Sequence, residues 1–407
     1  MNILYINHYA GSPKMGMEFR PYYLSREWVK QGHSVRIVAG DYSHLRIENP
    51  HIQNDFEEST IDGITYTWVR TGSYQGNGIA RAKTMFHFVF CLWKRAKWIA
   101  KEWRPDVVIT SSTYPLDTFA GQRIKKYADS ILIHEVHDMW PITLLELGGM
   151  KKTNPFVVLM QIGENSFCKH SDFVVSLLCA ADDYLVQHGM KPGKFKVVTN
   201  GIVLDEWADP SNLPQEHHDL LKRLHDEKKF IICFFGSITK SYAIDYLLRA
   251  YEMINNDKVA IVIVGEGNQK KELQEMAGDG VYFLPRISKE AIPTLMENID
   301  CCYVGALHND MFRFGISMNK LFDSMMSGKP ILYAVDAPND YIKEYSCGVS
   351  VKAEDAGALA DGINQILSLS ESERAQMGER GRNAVMEHFN YEKLAAKFAE
   401  LFKKQEI

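Results

Sequence analysis

The chain has 407 residues, a formal net charge of -5 at pH 7, 46% hydrophobic residues and 24% charged residues. A chain of this length exceeds what one hydrophobic core usually supports, so we expect two domains. The net charge gives no reason to expect nucleic acid as a partner, and the charged fraction is too high for a bundle of membrane helices.

The cysteines and the N-terminus bear on the cellular compartment. Seven cysteines lie in apolar settings without a C-x-x-C pair or a histidine-rich ligand spacing, which indicates reduced core thiols rather than zinc sites or disulfides. The first apolar run is cut by Asn7 and His8, unlike a secretory signal, and the run from Met85 to Trp93 is too short to span a membrane. The sequence predicts a cytoplasmic protein that is soluble or sits on a membrane surface.

Short apolar runs bounded by polar or turn residues predict buried strands in the first half of the chain. These runs are Ile3 to Ile6, Val35 to Ala39, Val107 to Thr110, Ile131 to Val136 and Phe173 to Ser176. Between the first two, FRPYYLSREWVKQG has apolar residues at helical spacing and a glycine where a helix would end. Alternating strands and helices predict a parallel sheet with helices on both faces.

A second set of strands and helices follows the Asn200-Gly201 turn signal and a polar segment punctuated by prolines. Its predicted strands are Phe230 to Phe235, Ala260 to Val264, Val281 to Leu284, Cys301 to Val304, Pro330 to Tyr333 and Gly348 to Val351. We therefore predict two doubly wound α/β domains, residues 1–203 and 204–385. A C-terminal helix over 386–407 could pack back across the N-terminal domain, although the sequence does not decide between the two domains.

Ligands of open parallel sheets bind at the carboxyl ends of the strands, so the loops after strands, at a cleft between the domains, are the candidate site. Residues 7–21, NHYAGSPKMGMEFRP, have glycines that let backbone amides approach a phosphate, or that simply form a flexible loop. In HEVHDMWP, residues 134–141, His137 and Asp138 can hydrogen-bond a hydroxyl-rich substrate, and Trp140 can stack on a sugar. The alternative is that His137 and Asp138 cap the next helix.

Three loops in the second half carry weaker signals. FFGSITKSY offers Lys240 to neutralise a phosphate, unless Lys240 is an ordinary surface lysine. VGEGNQKKEL has Gly265 and Gly267 between a strand and a helix but lacks the full dinucleotide-binding fingerprint. FLPRIS, residues 283–288, ends a strand whose backbone could contact a nucleotide base.

The segment FGISMNKLFDSMMSGKPIL, residues 314–332, predicts a nucleotide diphosphate site. Ser317 fits an N-cap, which would leave the amides of the next three residues pointing outward as an anion site. Asp323 lies further along the helix and could accept hydrogen bonds from two ribose hydroxyls. An ordinary ion pair between Lys320 and Asp323 on a solvated helix is the alternative.

Taken in order, these pieces resemble the family 4 retaining glycosyltransferases, which have the GT-B architecture of two facing Rossmann-like domains with a cleft between them. The segments that carry the resemblance are GMEFRPYYLSREWVKQGHSVRIVAG, HEVHDMWP, VVTNGIVLDEW, IVIVGEGNQKKEL and NKLFDSMMSGKPIL. Within the family, the chain is most similar to the bacterial surface-polysaccharide branch, in particular to the L-fucosamine (L-FucNAc) transferases of O-antigen assembly. The resemblance implies transfer of a sugar from a nucleotide sugar, with UDP as the expected nucleotide.

The resemblance also implies roles for individual residues. Asp323 would bind the ribose, and Arg286 and Ile287 would lie beside the base. The remaining residues expected to bind the nucleotide sugar are Gly16, Gly236, Lys240, Gly265, Gly315, Ile316, Ser317, Met318, Asn319 and Lys320. The expected catalytic groups are His137, Asp138 and Lys240. The expected acceptor contacts are Glu18, Arg20 and Trp140.

The chain departs from the family pattern in two places. The family commonly has two glutamates separated by seven residues, but Asp323 stands at the second position and Gly315, eight positions earlier, at the first. Ser237 stands where arginine is common, which leaves Lys240 as the nearby cation. No carboxylate cluster offers a metal site, so neither a metal nor another cofactor is expected, and helix amides and lysine would stabilise the leaving diphosphate. The resemblance implies front-side attack by the acceptor hydroxyl with retained anomeric configuration.

Residues 80–104 form a basic and aromatic stretch with a single acid, Glu102. Its basic residues are Arg81, Lys83, Lys94, Arg95, Lys97, Lys101 and Arg104. Its aromatic residues are Phe86, Phe88, Phe90, Trp93, Trp98 and Trp103. This pattern is typical of a helix lying on anionic lipid, and equally of a domain helix with a solvated basic face. On the first interpretation, the acceptor is a lipid-linked saccharide at the inner face of the cytoplasmic membrane.

Two other functions compete with sugar transfer. A GT-B nucleotide-sugar 2-epimerase would share the nucleotide site but should have additional acid and base carboxylates around the sugar, which the sequence does not show. A non-catalytic subunit that binds a nucleotide sugar would be compatible with the missing first acid.

Overall fold

The structure is a computed structural model that describes residues 1–16, 19–76 and 78–403. It divides into two compact units. The first comprises Met1–Thr199 together with the chain from Tyr391 onward, and the second comprises Asn200–Asn390. The sequence placed the two boundaries at 203/204 and 385/386, a few residues away from these positions.

The first unit is built on an eight-stranded sheet in the order β3-β4-β2-β1-β5-β6-β7-β8. The strands are β1 Asn2–Ile6, β2 Ser34–Gly40, β3 Glu57–Ile61, β4 Ile64–Val69, β5 Val107–Thr110, β6 Ile131–Val136, β7 Phe173–Ser176 and β8 Phe195–Val197. The helices are α1 Phe19–Lys30, α2 Ile79–Trp103, α3 Thr118–Ala128, α4 Ile142–Glu146, α5 Pro155–His170 and α6 Asp182–Gln187. Neighbouring strands are parallel except β3 and β4, which form an antiparallel hairpin.

The second unit is built on a six-stranded parallel sheet in the order β11-β10-β9-β12-β13-β14. The strands are β9 Phe230–Phe235, β10 Val259–Val264, β11 Val281–Leu284, β12 Cys301–Gly305, β13 Ile331–Ala334 and β14 Gly348–Ser350. The helices are α7 Leu204–Ala208, α8 Gln215–Asp226, α9 Ile244–Ile254, α10 Lys270–Met276, α11 Ile292–Glu297, α12 Asn319–Met326, α13 Tyr341–Glu344, α14 Ala356–Ser368 and α15 Glu371–His388. Each strand overlaps one of the six predicted from the sequence.

Alternation along β9 shows how the core of the second unit is layered. Ile231, Cys233 and Phe235 pack into one buried cluster, whereas Ile232 and Phe234 pack into another. Successive side chains of a strand point to opposite faces, and a parallel strand with helices on both sides must be apolar on both. A continuous apolar run is therefore the sequence signature of this strand, rather than an alternating pattern.

The C-terminal segment belongs to the first unit. Its helix, α16 (Tyr391–Ala399), packs against α1, where the fully buried Trp28 donates its indole N–H to the Ala395 carbonyl at 2.9 Å. The Trp28 ring also lies 5.2 Å from the rings of Phe398 and Phe402, measured between centroids. One aromatic anchor therefore holds the end of the described chain on the first unit.

We expect Trp28→Ala to lower the free energy of unfolding by about 3–5 kcal/mol, because it leaves a large cavity beneath α16 and removes the indole hydrogen bond to Ala395. Denaturant unfolding measures the loss, and limited proteolysis should cut the C-terminal segment earlier than in the wild type. Lys397→Ala, at an exposed position of the same helix, is the control and should change stability by less than about 0.5 kcal/mol. Equal stability of the two variants would contradict this role of Trp28.

Candidate functional site

Two loops at the carboxyl ends of β9 and β10 touch through their backbones. Gly236 has φ +125° and Gly265 has φ +155°, and a Cβ atom on Gly265 would lie 1.9 Å from the Gly236 carbonyl oxygen. A Cβ on Gly267 would lie 2.0 Å from the carbonyl oxygen of Ile238. The G-x-G motif is therefore explained by loop packing, and a nucleotide contact by Gly265 stays a prediction.

The helix α12 does not begin as the sequence predicted. Its N-cap is Met318, in an extended conformation, and its first residue is Asn319. The Ser317 hydroxyl instead accepts a hydrogen bond from the backbone N–H of Asn200 at 2.8 Å, and the Asn200 side chain donates to the Ser317 carbonyl at 2.8 Å. The prediction that Ser317 caps the helix was wrong, because a tertiary contact occupies its hydroxyl.

Part of the predicted anion site is already engaged. Gly315 has φ +100°, and it leads into Ile316, whose backbone N–H donates to Asn339 Oδ1 at 2.9 Å. Asn339 Nδ2 donates in return to the Ile316 carbonyl at 2.8 Å. The amide of Ile316 is therefore used within the fold. The amides of Asn319 and Lys320, the first two residues of α12, are the ones suited to an anion, because the next amide, that of Leu321, already donates to the Met318 carbonyl at 3.1 Å.

Asp323 is buried in α12, with 7% of its surface exposed. Burial raises its pKa to about 6, against the opposing effects of Lys289 and of a hydrogen bond with the Trp207 side chain. Lys289 in turn pairs with Glu206 at 2.7 Å. The carboxyl of Asp323 thus lies among groups from α7 and from the loop after β11.

Lys320 lies on the same helix as Asp323 but in different surroundings. Its Nζ lies 4.1 Å from the ring centroid of Phe234 and 3.3 Å from that of Tyr242. This Nζ is buried and has no hydrogen-bond partner among the described residues. The alternative of an ordinary ion pair between Lys320 and Asp323 on a solvated helix is therefore wrong.

The other predicted nucleotide-site residues of the second unit are accessible to solvent. Lys240 is exposed in a single 3-10 turn, Lys240–Tyr242. Arg286 is exposed and Ile287 is half-buried in the loop after β11. Their proposed contacts with phosphate and base stay predictions.

In the first unit, β6 ends in a buried ionic network centred on Glu135. This carboxylate accepts hydrogen bonds from Arg20 Nε at 3.0 Å, from Ser111 Oγ at 2.6 Å and from the Tyr5 hydroxyl. Burial alone would raise the pKa of Glu135, but Arg20 and His137 outweigh it and hold the pKa well below its usual range. Glu135 is therefore a fixed, paired negative charge.

His137 is oriented by this network. Its Nε2 lies 2.8 Å from Ser111 Oγ and 3.1 Å from Glu135 Oε2. Both contacts use one ring nitrogen, whereas a Ser-His-acid triad places the acid on the other nitrogen. The arrangement therefore orients the imidazole and does not match a hydrolase triad.

The alternative role of His137 and Asp138 as helix caps is wrong. The next helix, α4, has Pro141 at its N-cap and no side-chain capping bond. Asp138 is instead exposed, and with His137 it lines a small cavity at the strand ends of the first unit. Trp140 also lines this cavity, with its ring 6.2 Å from that of Phe156.

The same cavity contains a residue that the sequence analysis missed. Glu164 of α5 is buried, and burial raises its pKa to about 8, although Gln161 and Tyr184 donate hydrogen bonds to it at 2.6 and 3.1 Å. Glu164 sits in an amphipathic helix pattern that gave no signal of a buried acid. Ser111 and Glu135 were missed for a related reason, since both lie in or beside strands read only as apolar runs.

The remaining predictions for the first unit concern residues 16–20, in the N-terminal loop and at the start of α1. Gly16 has φ +79°, and a Cβ there would lie 2.9 Å from Ile47, so this turn needs glycine. Arg20 is buried and donates to the carbonyls of Val198 and Thr199 as well as to Glu135. Its guanidinium therefore links α1 to the chain beyond β8, and an acceptor contact by Arg20 stays a prediction. Glu18 lies outside the described residues.

Two family models match the chain. Residues 15–206 match "Glycosyltransferase Family 4" and residues 218–384 match "Glycosyl transferases group 1". The two matches correspond to the two structural units, apart from the C-terminal segment.

Curated relatives agree with the family models. The "Probable glycosyltransferase WbjE" of Pseudomonas aeruginosa is 25% identical over 340 residues, which covers 79% of both chains. WcaI of Escherichia coli K12, named as a colanic acid biosynthesis glycosyl transferase, is 22% identical over 363 residues and covers 84% of this chain and 86% of its own.

Solved structures show the same fold. A sucrose-phosphate synthase of Thermosynechococcus elongatus superposes with a TM-score of 0.71 at 16% identity, covering 99% of this chain and 98% of its own. Anabaena HepE in complex with UDP and glucose has a TM-score of 0.63 at 15% identity and covers 98% of each chain. These likenesses confirm the predicted two-domain GT-B fold with parallel sheets. Together with the two family matches, they place the chain among the GT-B glycosyltransferases of groups 1 and 4.

Proposed function

We propose that the protein is a retaining, metal-independent glycosyltransferase that uses a UDP-sugar. The expected sugar is an N-acetylated amino sugar such as L-FucNAc, and the expected acceptor is a lipid-linked saccharide in bacterial O-antigen or capsule synthesis. The observation that carries this proposal is the placement of α12, which combines first-turn amides, a buried lysine and a buried carboxyl in the second unit.

The carboxyl of Asp323 suits ribose recognition. An ionised carboxylate accepts several hydrogen bonds, so the one from Trp207 leaves capacity for the two ribose hydroxyls. Burial strengthens such bonds because water does not compete for them. UDP as the nucleotide is supported by the resemblance to family 4 enzymes and by the HepE structure, which contains UDP.

Departure of the diphosphate needs stabilisation of developing negative charge. Helix amides and basic side chains directed at the phosphates supply it without a metal or a protein nucleophile. The acceptor hydroxyl then attacks the anomeric carbon from the face that the diphosphate leaves. WcaI, named for colanic acid biosynthesis, supports a polysaccharide role.

Contact with a membrane is supported by α2. Phe86, Phe90 and Trp93 are 39%, 57% and 42% exposed, and Lys97 continues the same stripe, since spacings of three and four residues share one helix face. The Arg123 guanidinium lies 3.6 Å from the Trp93 ring centroid. Exposed aromatic rings among cations suit the interface of an anionic bilayer better than water. None of the described helices is long and apolar enough to cross a membrane.

Incubation with a UDP-sugar and a lipid-linked saccharide tests the function directly. We expect UDP release that depends on the acceptor and a product whose anomeric configuration matches the donor, as measured by NMR. An altered donor without transfer would indicate an epimerase. Nucleotide-sugar binding without turnover would indicate a non-catalytic subunit.

Asp323→Asn should weaken UDP binding about 100-fold, because an amide replaces the charged acceptor of the ribose hydroxyls. The shape of the side chain is kept, so the fold should remain intact. Titration calorimetry measures the affinity, and the thermal shift with UDP provides a second readout. Asp361→Asn, at an exposed position of α14, is the control. Unchanged affinity in Asp323→Asn would exclude a ribose contact.

The double variant Phe90→Ser/Trp93→Ser should bind vesicles containing phosphatidylglycerol at least about 10-fold more weakly than the wild type, because two aromatic side chains no longer enter the interface. Co-sedimentation measures the binding, and vesicles of phosphatidylcholine alone test the role of charge. Met386→Ser, which removes an exposed apolar side chain of the second unit, is the control. Wild-type protein that does not bind anionic vesicles would refute the membrane role.

A further inference from the structure

Lys320 is a buried amine without a counter-charge. Its Nζ has no hydrogen-bond partner among the described residues, and it lies over the faces of Phe234 and Tyr242. An ammonium taken out of water without a partner is destabilising, and ring faces recover only part of that loss. The buried amine therefore does not stabilise the fold by itself. A bound ligand of opposite charge would offset the free-energy cost of burying it.

The position of this amine is defined by the first strand of the second unit. Phe234 lies near the end of β9, and a Cβ on the following Gly236 would lie 3.1 Å from Lys320 Nζ. Lys320 is also the second residue of α12, so its own amide is one of those without an acceptor in the helix. The side-chain amine of Lys320 therefore lies at the carboxyl end of β9.

The other basic groups of this edge do not have these properties. Lys240 and Arg286 are exposed, so water already solvates them. Ser237, next to Gly236, carries no charge. Lys320 of α12 is thus the buried amine at this edge, where the lysine of the loop after β9 is exposed.

We infer that Lys320 is the basic side chain that binds the diphosphate of the donor. This inference rests on the proposed function, since it identifies the group that holds the phosphates of the nucleotide. The ligand class is a nucleoside diphosphate, and the contact is between Nζ and phosphate oxygens.

The pKa of the Lys320 amine is consistent with the inferred contact to the diphosphate. Burial lowers the pKa of Lys320 to about 7, so the free protein holds this amine largely neutral at pH 8. Tyr242 stays neutral because burial raises its pKa, and Asp323, on the same helix, contacts Trp207. Bound phosphates favour the charged amine, so its pKa rises and the protein takes up a proton from solvent.

Replacing Lys320 by Met tests the inference in the full chain. We expect Lys320→Met to weaken UDP binding about 10- to 100-fold, the loss typical of a charge-assisted bond, and to leave uridine binding unchanged. The matched variant Lys222→Met, at an exposed position of α8, should change UDP affinity less than threefold. Ligand-free Lys320→Met should melt at the same temperature as the wild type or higher, because an unpaired buried amine becomes apolar.

Proton uptake gives a readout that a purely structural lysine would not affect. Calorimetry at pH 8 in two buffers of different ionisation enthalpy should show uptake of about one proton on UDP binding by the wild type, and none by Lys320→Met. Unchanged UDP affinity in Lys320→Met, an equal loss of uridine binding, or persisting proton uptake would overturn the inference.

The transfer assay separates this inference from the proposed function. Wild-type protein that binds UDP through Lys320 but transfers no sugar would contradict the proposed function and leave the inference standing. Wild-type protein that binds neither pyrophosphate nor a nucleoside diphosphate would overturn the inference itself.

Discussion

The candidate site of the second unit depends on one backbone contact, that between Gly236 and Gly265. The loops after β9 and β10 approach so closely that a Cβ on Gly265 would overlap the Gly236 carbonyl. The same Gly236 lies beside Lys320 Nζ, so a side chain there would intrude on the amine as well. Any residue other than glycine at position 265 would therefore separate the loops. The phosphate site proposed at this edge of the sheet therefore depends on the close approach of these two loops, which only glycine permits.

The two units differ in whether a buried ionisable side chain has a partner. In the first unit, Glu135 is paired with Arg20 and receives further hydrogen bonds from Ser111 and Tyr5. Such a network has no need of a ligand, and its effect is to hold α1 and the ring of His137 in place. In the second unit, Lys320 is buried without a partner among the described residues. A satisfied network gives rigidity, whereas a buried amine without a partner is destabilising until a ligand of opposite charge binds it.

Local patterns were enough to predict most strands but not the contacts that join them. All six strands of the second unit follow from apolar runs, yet the hairpin of β3 and β4 was missed although Asp62-Gly63 is a strong turn signal, with φ +50° and +79°. Ser317 looked like a helix cap because capping is a local rule, but Asn200 reaches it from 117 residues away. Arg20 and Tyr5 likewise reach Glu135 from 115 and 130 residues away. Periodicity cannot show such pairings, and so it indicated α12 as a candidate site without showing which side chain would hold which part of a ligand.

The separation of Lys320 and Asp323 is what makes α12 suited to an extended ligand. Burial moves both pKa values towards neutrality, to about 7 for the amine and about 6 for the acid. Had the two groups met, each would have stabilised the other's charge and the site would be self-contained. The rings of Phe234 and Tyr242 hold the amine, and Trp207 contacts the acid. A ligand that satisfies both groups must carry negative charge at one part and hydrogen-bond donors at another. A nucleoside diphosphate has phosphates and ribose hydroxyls in that relation.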